Sequence, residues 1–348
     1  MNIRTLKGIW KAHLPQWVWA CLPLWIGSLV FAVDGKSPNW SSLLLFIITA
    51  ITIQASAELA NTYIDRYEDQ IYVPSNPLVT GELAEGTAKK ALILENVAAG
   101  LLLVALLLVT LNYYLIVAMA AGWLAGQAYS LPPLKLKETI AGPFSFALTT
   151  ALIPIAACLL FGPLSEFIIA FAAFLFVATF GANISTGQLR KTAAALTHGL
   201  IKVEESGSIC NIKTVGLRVK LKTAMALEAM AGLTVFILVG IFWHLDIFPM
   251  VLSIALLGLS SPFVLLTVLF RIKSRVSNAQ KCVECAGAAA LLAMLSFFSV
   301  ALISVLHWHW GFAILACIIF LIGFGLLLKQ VHPYGSVYHA RQIQSSQS

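Results

Sequence analysis

Long apolar segments alternate with short polar segments along almost the whole chain. Each apolar segment runs for about 20 residues, the length that an α-helix needs to cross a hydrocarbon core of about 30 Å. We therefore predict an all-α polytopic membrane protein, a helical bundle around a central cavity open to the cytoplasmic side. The predicted spans lie at about 15–33, 40–62, 89–110, 113–131, 143–162, 165–186, 223–243, 248–270, 283–306 and 310–328.

The positions of lysine and arginine test this order of spans. If the N-terminus is cytoplasmic, every lysine and arginine except Lys36 falls on the cytoplasmic side of a predicted span. Short translocated loops avoid these residues, so their segregation supports both the number and the orientation of the spans. We expect an integral protein of a prokaryotic cytoplasmic membrane with both termini in the cytoplasm.

Composition agrees with this prediction. Hydrophobic residues make up 59% of the chain, charged residues 11%, and the mean hydropathy is +0.89, whereas a soluble domain carries roughly a quarter charged residues. The net charge of +7 arises from the cytoplasmic loops and does not indicate nucleic-acid binding. We expect a single domain over 1–348, surrounded by membrane lipids. Its parts are an interfacial segment at 1–14, a core over about 15–306, an additional span at about 310–328 and a polar tail at 329–348.

A stripe of polar residues follows the cytoplasmic half of the second span. Gln54, Glu58, Asn61, Asp65 and Asp69 recur every three or four residues, which places them on one side of a helix. Polar groups at membrane depth are costly unless they face a polar cavity. Two carboxylates with an amide oxygen suit Mg²⁺, which commonly bridges to substrate phosphates. We predict that Asp65, Asp69 and Asn61 bind Mg²⁺; a structural polar seam is the alternative.

The loop after the fourth span combines Tyr129 and Ser130 with two prolines and then Lys135 and Lys137. In an extended segment, the alternation of the two lysines points both ammonium groups the same way. Two lysines aimed together suit an anion. The alternative is that they are ordinary positive-inside lysines at the lipid headgroups.

Together these segments resemble the UbiA superfamily of intramembrane prenyltransferases over roughly residues 10–306. The run from Asn61 to Asp69 matches the N-D-x-x-D-x-x-x-D motif, with Thr62 where an aspartate is usual. The run 76–81 is similar to R-P-L-x-S-G, with Asn76 in place of arginine, and 129–137 matches the Y-S-x-P-P-L lysine loop. The resemblance implies Mg²⁺ bound by two Asp-rich motifs, and ionisation of a prenyl diphosphate to an allylic cation that an acceptor captures.

The site residues that we expect combine this resemblance with the stripe and the lysine loop. Asp65, Asp69 and Lys135 are the expected catalytic residues. The expected substrate-binding residues are Asn61, Tyr129, Ser130, Lys137, Lys202, Lys213 and Arg218. Tyr63 and Tyr67, like Tyr129, are candidates to shield an allylic cation, with ordinary packing as the alternative.

The family's second Asp-rich motif is where the sequence departs. The best frame, 198–206, has lost every aspartate. Either Glu204 and Glu205, with His198, form a remodelled metal site, or the basic residues Lys202, Lys213 or Arg218 neutralise the diphosphate directly. A catalytically inactive, prenyl-lipid-binding homologue is a third possibility.

Three functions therefore compete. The leading hypothesis is a Mg²⁺-dependent transfer of a prenyl group to a small lipophilic acceptor, an aromatic or quinone precursor. A UbiA-type terpene cyclase would instead let the chain's own double bonds capture the cation. A transporter would have broken helices in inverted repeats, and no such repeat is present in the sequence.

Overall fold

The computed structural model describes residues 3–13, 24–25, 28–29, 32, 39–72, 75–184, 220–250, 252–254 and 256–257. Within these ranges every element of regular secondary structure is a helix. The α-helices are α1 (Ile3–Ala12), α2 (Trp40–Asp65), α3 (Asp69–Tyr72), α4 (Glu85–Thr110), α5 (Tyr113–Ser130), α6 (Ala141–Phe161), α7 (Glu166–Asn183) and α8 (Leu221–His244). A short 3-10 helix at Leu136–Glu138 precedes α6.

The predicted all-α class is confirmed for these residues. Helices α2, α4, α5, α6, α7 and α8 coincide with six predicted spans. Four helical segments are long and apolar enough to cross a membrane: Trp40–Asp65, Glu85–Thr110, Ala141–Phe161 and Ala226–His244. The spans predicted at 283–306 and 310–328 lie outside the described residues, and those at 15–33 and 248–270 are described only in part. The total of ten spans, their orientation and the cytoplasmic cavity therefore stay predictions.

Leu111 caps the end of α4 and Asn112 caps the start of α5. Leu111 adopts a left-handed conformation, φ 49°, and its N–H donates to the carbonyl of Leu107. The side chain of Asn112 then caps α5 by accepting from the N–H of Leu115 at 3.0 Å, and its amide donates to the carbonyl of Leu159 at 2.6 Å. One asparagine thus satisfies backbone groups of two helices that would otherwise lack partners in lipid.

The described residues fall into two compact units. The first contains α1 to α5 with residues 152–164, and the second contains residues 135–151 with α7 and α8. In the first unit, α2 packs against α4 and α5 around an apolar cluster that includes Phe46, Leu106 and Leu115. In the second, α7 packs against α8. The expectation of a single domain stays a prediction.

Helix α1 forms within the predicted interfacial segment and is fastened to the first unit. Gly8 lies so close to the 82–83 turn that a Cβ atom would come within 2.9 Å of the carbonyl oxygen of Glu82. Lys11 forms an ion pair with the side chain of Glu82 at 2.8 Å. Ile3 and Trp10 are exposed on the same helix, as an interfacial helix requires. Its position at the membrane surface stays a prediction.

Candidate active site

The polar stripe of α2 leads to a short break that carries both aspartates. Helix α2 ends at Asp65, a turn covers residues 66–68, and Asp69 begins α3. The two carboxylates therefore belong to two helices and not to one continuous helix. Asp65 is 6% exposed and Asp69 is 7% exposed. Carboxylates at this depth require polar partners or a cation.

Helix α5 brings the second motif against the first. The hydroxyl of Ser130, fully buried, donates to the amide oxygen of Asn61 at 3.2 Å. About one turn deeper, the amide of Gln127 donates to the hydroxyl of Ser56 at 2.9 Å. These two bonds fix α5 to the stripe of α2. Asn61 and Ser130, expected at one site from the sequence, do lie in contact, and Tyr129 is half-buried beside them on α5.

Asn76 stands where the resemblance leads one to expect arginine, and it holds Asp69. Its amide nitrogen donates to Oδ2 of Asp69 at 2.8 Å and to the backbone carbonyl of Thr62 at 3.1 Å. Its own oxygen accepts from the N–H of Leu78 at 2.9 Å. Asn76 is only 2% exposed. It therefore supports the aspartate and does not present a charge to a substrate.

Thr62 stands where the resemblance leads one to expect aspartate, and its side chain bonds the backbone of α1. Its hydroxyl donates to the backbone carbonyl of Ala12 at 2.7 Å, and both residues are buried. The bond joins α2 to the C-terminal end of α1. An ionised carboxylate has no proton to donate to that carbonyl, so this contact requires a donor such as the hydroxyl of Thr62.

Arg66 is the cation that contacts Tyr63 and Tyr67. Its guanidinium carbon lies 4.3 Å from the centroid of each ring. The same side chain donates to Glu85 Oε1 at 2.6 Å and to the carbonyl of Tyr63 at 2.5 Å. The rings thus lie against an arginine of the protein. The ion pair of that arginine with Glu85 fastens the α2–α3 break to the start of α4.

The lysine loop differs from its expected extended form. Lys135 has a left-handed backbone, φ 40°, and residues 136–138 form the 3-10 helix. Thr139 closes this turn because its N–H and hydroxyl both donate to the carbonyl of Leu136, at 2.8 and 2.9 Å. Alternation along a strand therefore does not apply. Lys135 is half-exposed and forms an ion pair with Glu138, while Lys137 is buried.

Gly142 explains how this loop lies so close to α6. A Cβ atom at that position would be 2.7 Å from the carbonyl oxygen of Leu136 and 2.7 Å from Cα of Lys137. Both neighbours are backbone atoms, which cannot move aside by changing a rotamer. The two lysines belong to the second unit, and the aspartates, like Tyr129 and Ser130, to the first. That the lysines and aspartates share one substrate stays a proposal.

The remaining predicted site residues lie outside the described residues: Lys202, Glu204, Glu205, Lys213 and Arg218, with His198. Within the described ranges no three histidine, cysteine or acidic side chains form a group that could hold a metal. The donor set at the break nevertheless has the chemistry of a Mg²⁺ site, because Asp65, Asp69 and Asn61 supply carboxylate and amide oxygens and Mg²⁺ takes its other ligands from water and phosphate.

Sequence reasoning missed a pair of ionisable groups in the first unit. Nε2 of His13 lies 2.8 Å from Oε1 of Glu95, and Nδ1 lies 2.8 Å from the carbonyl of Ile9. Burial lowers the pKa of His13, but the hydrogen bond and the charge of Glu95, with a smaller contribution from Glu58, more than offset it and raise that pKa above 6.5. The partners are 82 residues apart in sequence, so no local motif could reveal them.

The model of the UbiA prenyltransferase family matches residues 20–286, which is more than half of the chain. This chain belongs to the UbiA prenyltransferase family. The resemblance expected from the sequence is therefore confirmed. No curated protein matches the sequence at a significant level.

Solved structures share the fold of this chain. A digeranylgeranylglyceryl phosphate synthase is 17% identical, with a TM-score of 0.57, and the match covers 86% of this chain and 99% of that one. A UbiA homologue from Archaeoglobus fulgidus bound to GPP and Mg²⁺ is 18% identical, with a TM-score of 0.55, over 84% of this chain and 99% of that one. The same homologue bound to DMAPP and Mg²⁺ gives the same identity and score over 84% and 98%. At these identities the likeness establishes the fold.

Proposed function

We propose that this protein transfers a prenyl group from an isoprenoid diphosphate to a small lipophilic acceptor, an aromatic or quinone precursor, with Mg²⁺ as cofactor. The observation that carries the proposal is the contact between Asn61 and Ser130. It joins the Asp-rich motif to the lysine-loop motif, beside two buried aspartates. The homologue of the same fold binds GPP and DMAPP with Mg²⁺, which supports the same substrate class here.

The proposal assigns a separate task to each residue around the α2–α3 break. Asp65 and Asp69, with the amide oxygen of Asn61, would hold Mg²⁺, and Asn76 keeps the carboxylate of Asp69 in place. Mg²⁺ held by these residues would supply positive charge to the departing diphosphate. The hydroxyl of Ser130 donates a hydrogen bond to the amide oxygen of Asn61, so the orientation of that amide is set before substrate arrives.

In the proposal, basic side chains supply positive charge in addition to that of Mg²⁺. Departure of the diphosphate concentrates negative charge on its oxygens, and fixed ammonium groups stabilise that charge in the transition state. We propose this task for Lys135 and Lys137, and for the side chains of Lys202, Lys213 and Arg218 in the segment 198–218, which lies outside the described residues. Lys135 would exchange its ion pair with Glu138 for the diphosphate. Glu204 and Glu205 are the proposed ligands of a second metal.

The experiment measures diphosphate release by the purified full chain in detergent, with geranylgeranyl diphosphate. We expect release that requires Mg²⁺ and that Asp65→Asn or Asp69→Asn abolishes. Glu68→Gln is the matched control, since it removes a carboxylate from the same break without touching the proposed ligands. Normal release by both aspartate variants would refute the metal assignment. A cyclic hydrocarbon formed without any acceptor would show a terpene cyclase instead.

A further inference from the structure

A second polar cluster lies one turn deeper along the stripe of α2. Glu58 precedes Asn61 by three residues, so it lies on the same side of the helix and about 4.5 Å further along its axis. Oε1 of Glu58 accepts from the amide of Gln54 at 2.8 Å. Glu58 is half-buried, and its neighbours in sequence, Leu59 and Ala60, are buried apolar residues. A half-exposed carboxylate at this depth faces a polar space more cheaply than lipid.

The other side of this cluster is the pair of His13 and Glu95. The carbonyl of Ile9 can only accept, so Nδ1 of His13 must carry a proton. One further proton is then shared between Nε2 and Oε1 of Glu95, which lie 2.8 Å apart. In either arrangement the pair as a whole is neutral. Oε1 of Glu95 therefore already has a proton-sharing partner in His13.

Glu58 differs from Glu95 in this respect. Within the described part of the chain its hydrogen-bond partner is the neutral amide of Gln54, and no ion pair involves it. It can therefore take up a proton without breaking a salt bridge. The charge of His13 nevertheless reaches it, since Glu58 contributes to the raised pKa of that histidine. Glu58 thus lies close enough to His13 for the charges of the two side chains to interact.

We propose that Glu58 accepts the proton that a hydroxyl-bearing acceptor loses when it is prenylated. This inference rests on the proposed function and adds the residue that completes the reaction. The C1–O bond of the prenyl diphosphate breaks and its electron pair leaves with the diphosphate. The acceptor supplies the electron pair of the new bond to C1. A lipid hydroxyl supplies it from oxygen and loses its own proton, whereas a phenol supplies it from a ring carbon and loses the hydrogen of that carbon as a proton when the ring regains its aromaticity. In both cases the one proton lost passes to the carboxylate of Glu58.

The position of Glu58 fits this order of events. The diphosphate lies at Asn61 and the aspartates in the proposed function, so C1, the first atom beyond it, lies toward the deeper part of the stripe. The acceptor must meet C1 there. A carboxylate one turn below Asn61 is therefore beside the new bond and apart from the metal ligands. The acceptor is a phenol-type hydroxyl or the free hydroxyl of a glycerol ether lipid, and both release one proton.

The test separates ionisation from transfer. The full chain receives geranylgeranyl diphosphate and Mg²⁺ with 4-hydroxybenzoate in one arm and a glycerol ether lipid phosphate with one free hydroxyl in the other. We expect wild type to prenylate one of them. Glu58→Gln keeps an oxygen that can accept from Gln54 and leaves the proposed metal ligands intact. Diphosphate release should therefore stay near wild type, with water capturing the cation as prenyl alcohol, while acceptor prenylation falls about 100-fold or more, the usual size of a general-base effect. Glu58→Asp should recover part of the transfer.

The matched control is Glu228→Gln, which neutralises another buried carboxylate on an apolar helix, α8, and should leave transfer intact. The proposal is overturned if Glu58→Gln still prenylates the acceptor, if it loses release and transfer in equal measure, or if wild type accepts neither probe. Wild type that shows no Mg²⁺-dependent release contradicts the proposed function itself, a result distinct from a defect confined to the Glu58 variants.

Discussion

Restoring the aspartate that the family motif would place at residue 62 should damage this protein. The hydroxyl of Thr62 donates to the carbonyl of Ala12 at 2.7 Å in a buried contact between α1 and α2. Thr62→Val removes that hydrogen bond with little change in shape, which costs about 1 kcal/mol. Thr62→Asp also places a carboxylate against a carbonyl oxygen. An uncompensated buried charge costs about 3–5 kcal/mol, so this variant should be much the less stable of the two.

The assay is thermal unfolding of the purified protein in detergent, with unfolding in SDS as a second measure. Thr62→Ser retains the hydroxyl and should unfold close to wild type. Thr49→Val is the matched control, because the buried hydroxyl of Thr49 donates to Leu45 within its own helix and joins no second helix. Its loss should cost less than that of Thr62→Val. If Thr62→Asp unfolds like wild type and lowers the Mg²⁺ concentration needed for diphosphate release, residue 62 faces the metal and the reasoning fails.

Three further predictions concern the groups that support the site. Asn76→Ala removes a buried bond to the charged Asp69, worth about 1.5–3 kcal/mol, so diphosphate release should need more Mg²⁺ while its rate at saturating Mg²⁺ changes less. Gly142→Ala forces the lysine loop away from α6 and should lower stability by about 1–3 kcal/mol in thermal unfolding. The raised pKa of His13 means that its ion pair with Glu95 stabilises the fold fully below about pH 6.5 and is lost as pH rises through the higher folded value. The deficit of His13→Gln in unfolding temperature should therefore be larger at pH 6 than at pH 9.

The sequence predicted the features that depend on the periodicity of a single helix or on a short motif. The periodicity of polar residues on α2 predicted its stripe, and the two motifs predicted that Asn61 and Ser130 belong together, which their hydrogen bond now shows. The apolar runs predicted six helices to within a few residues. These features depend on local geometry or on a family pattern, so a single sequence can reveal them.

The features that the sequence did not reveal depend on contacts between distant segments. The lysine loop folds as a 3-10 turn because Thr139 bonds Leu136 and Gly142 admits the loop against α6, which simple alternation ignores. The pairing of His13 with Glu95 joins residues far apart in the chain. Nothing in the spacing of either residue indicates its partner.

The departures at residues 62 and 76 belong together in the structure. The family pattern would place one acid and one base there, and this chain has two neutral residues, so the sum of charges is unchanged. Both lie in one buried network, since Asn76 donates to the carbonyl of Thr62 and to Asp69. On the proposed function, Asp65 and Asp69 together neutralise a single Mg²⁺ ion, and neither Thr62 nor Asn76 presents charge to the diphosphate. The remaining negative charge of the diphosphate must then be balanced by cationic side chains of the protein, which places more of the stabilisation of the leaving group on its lysines.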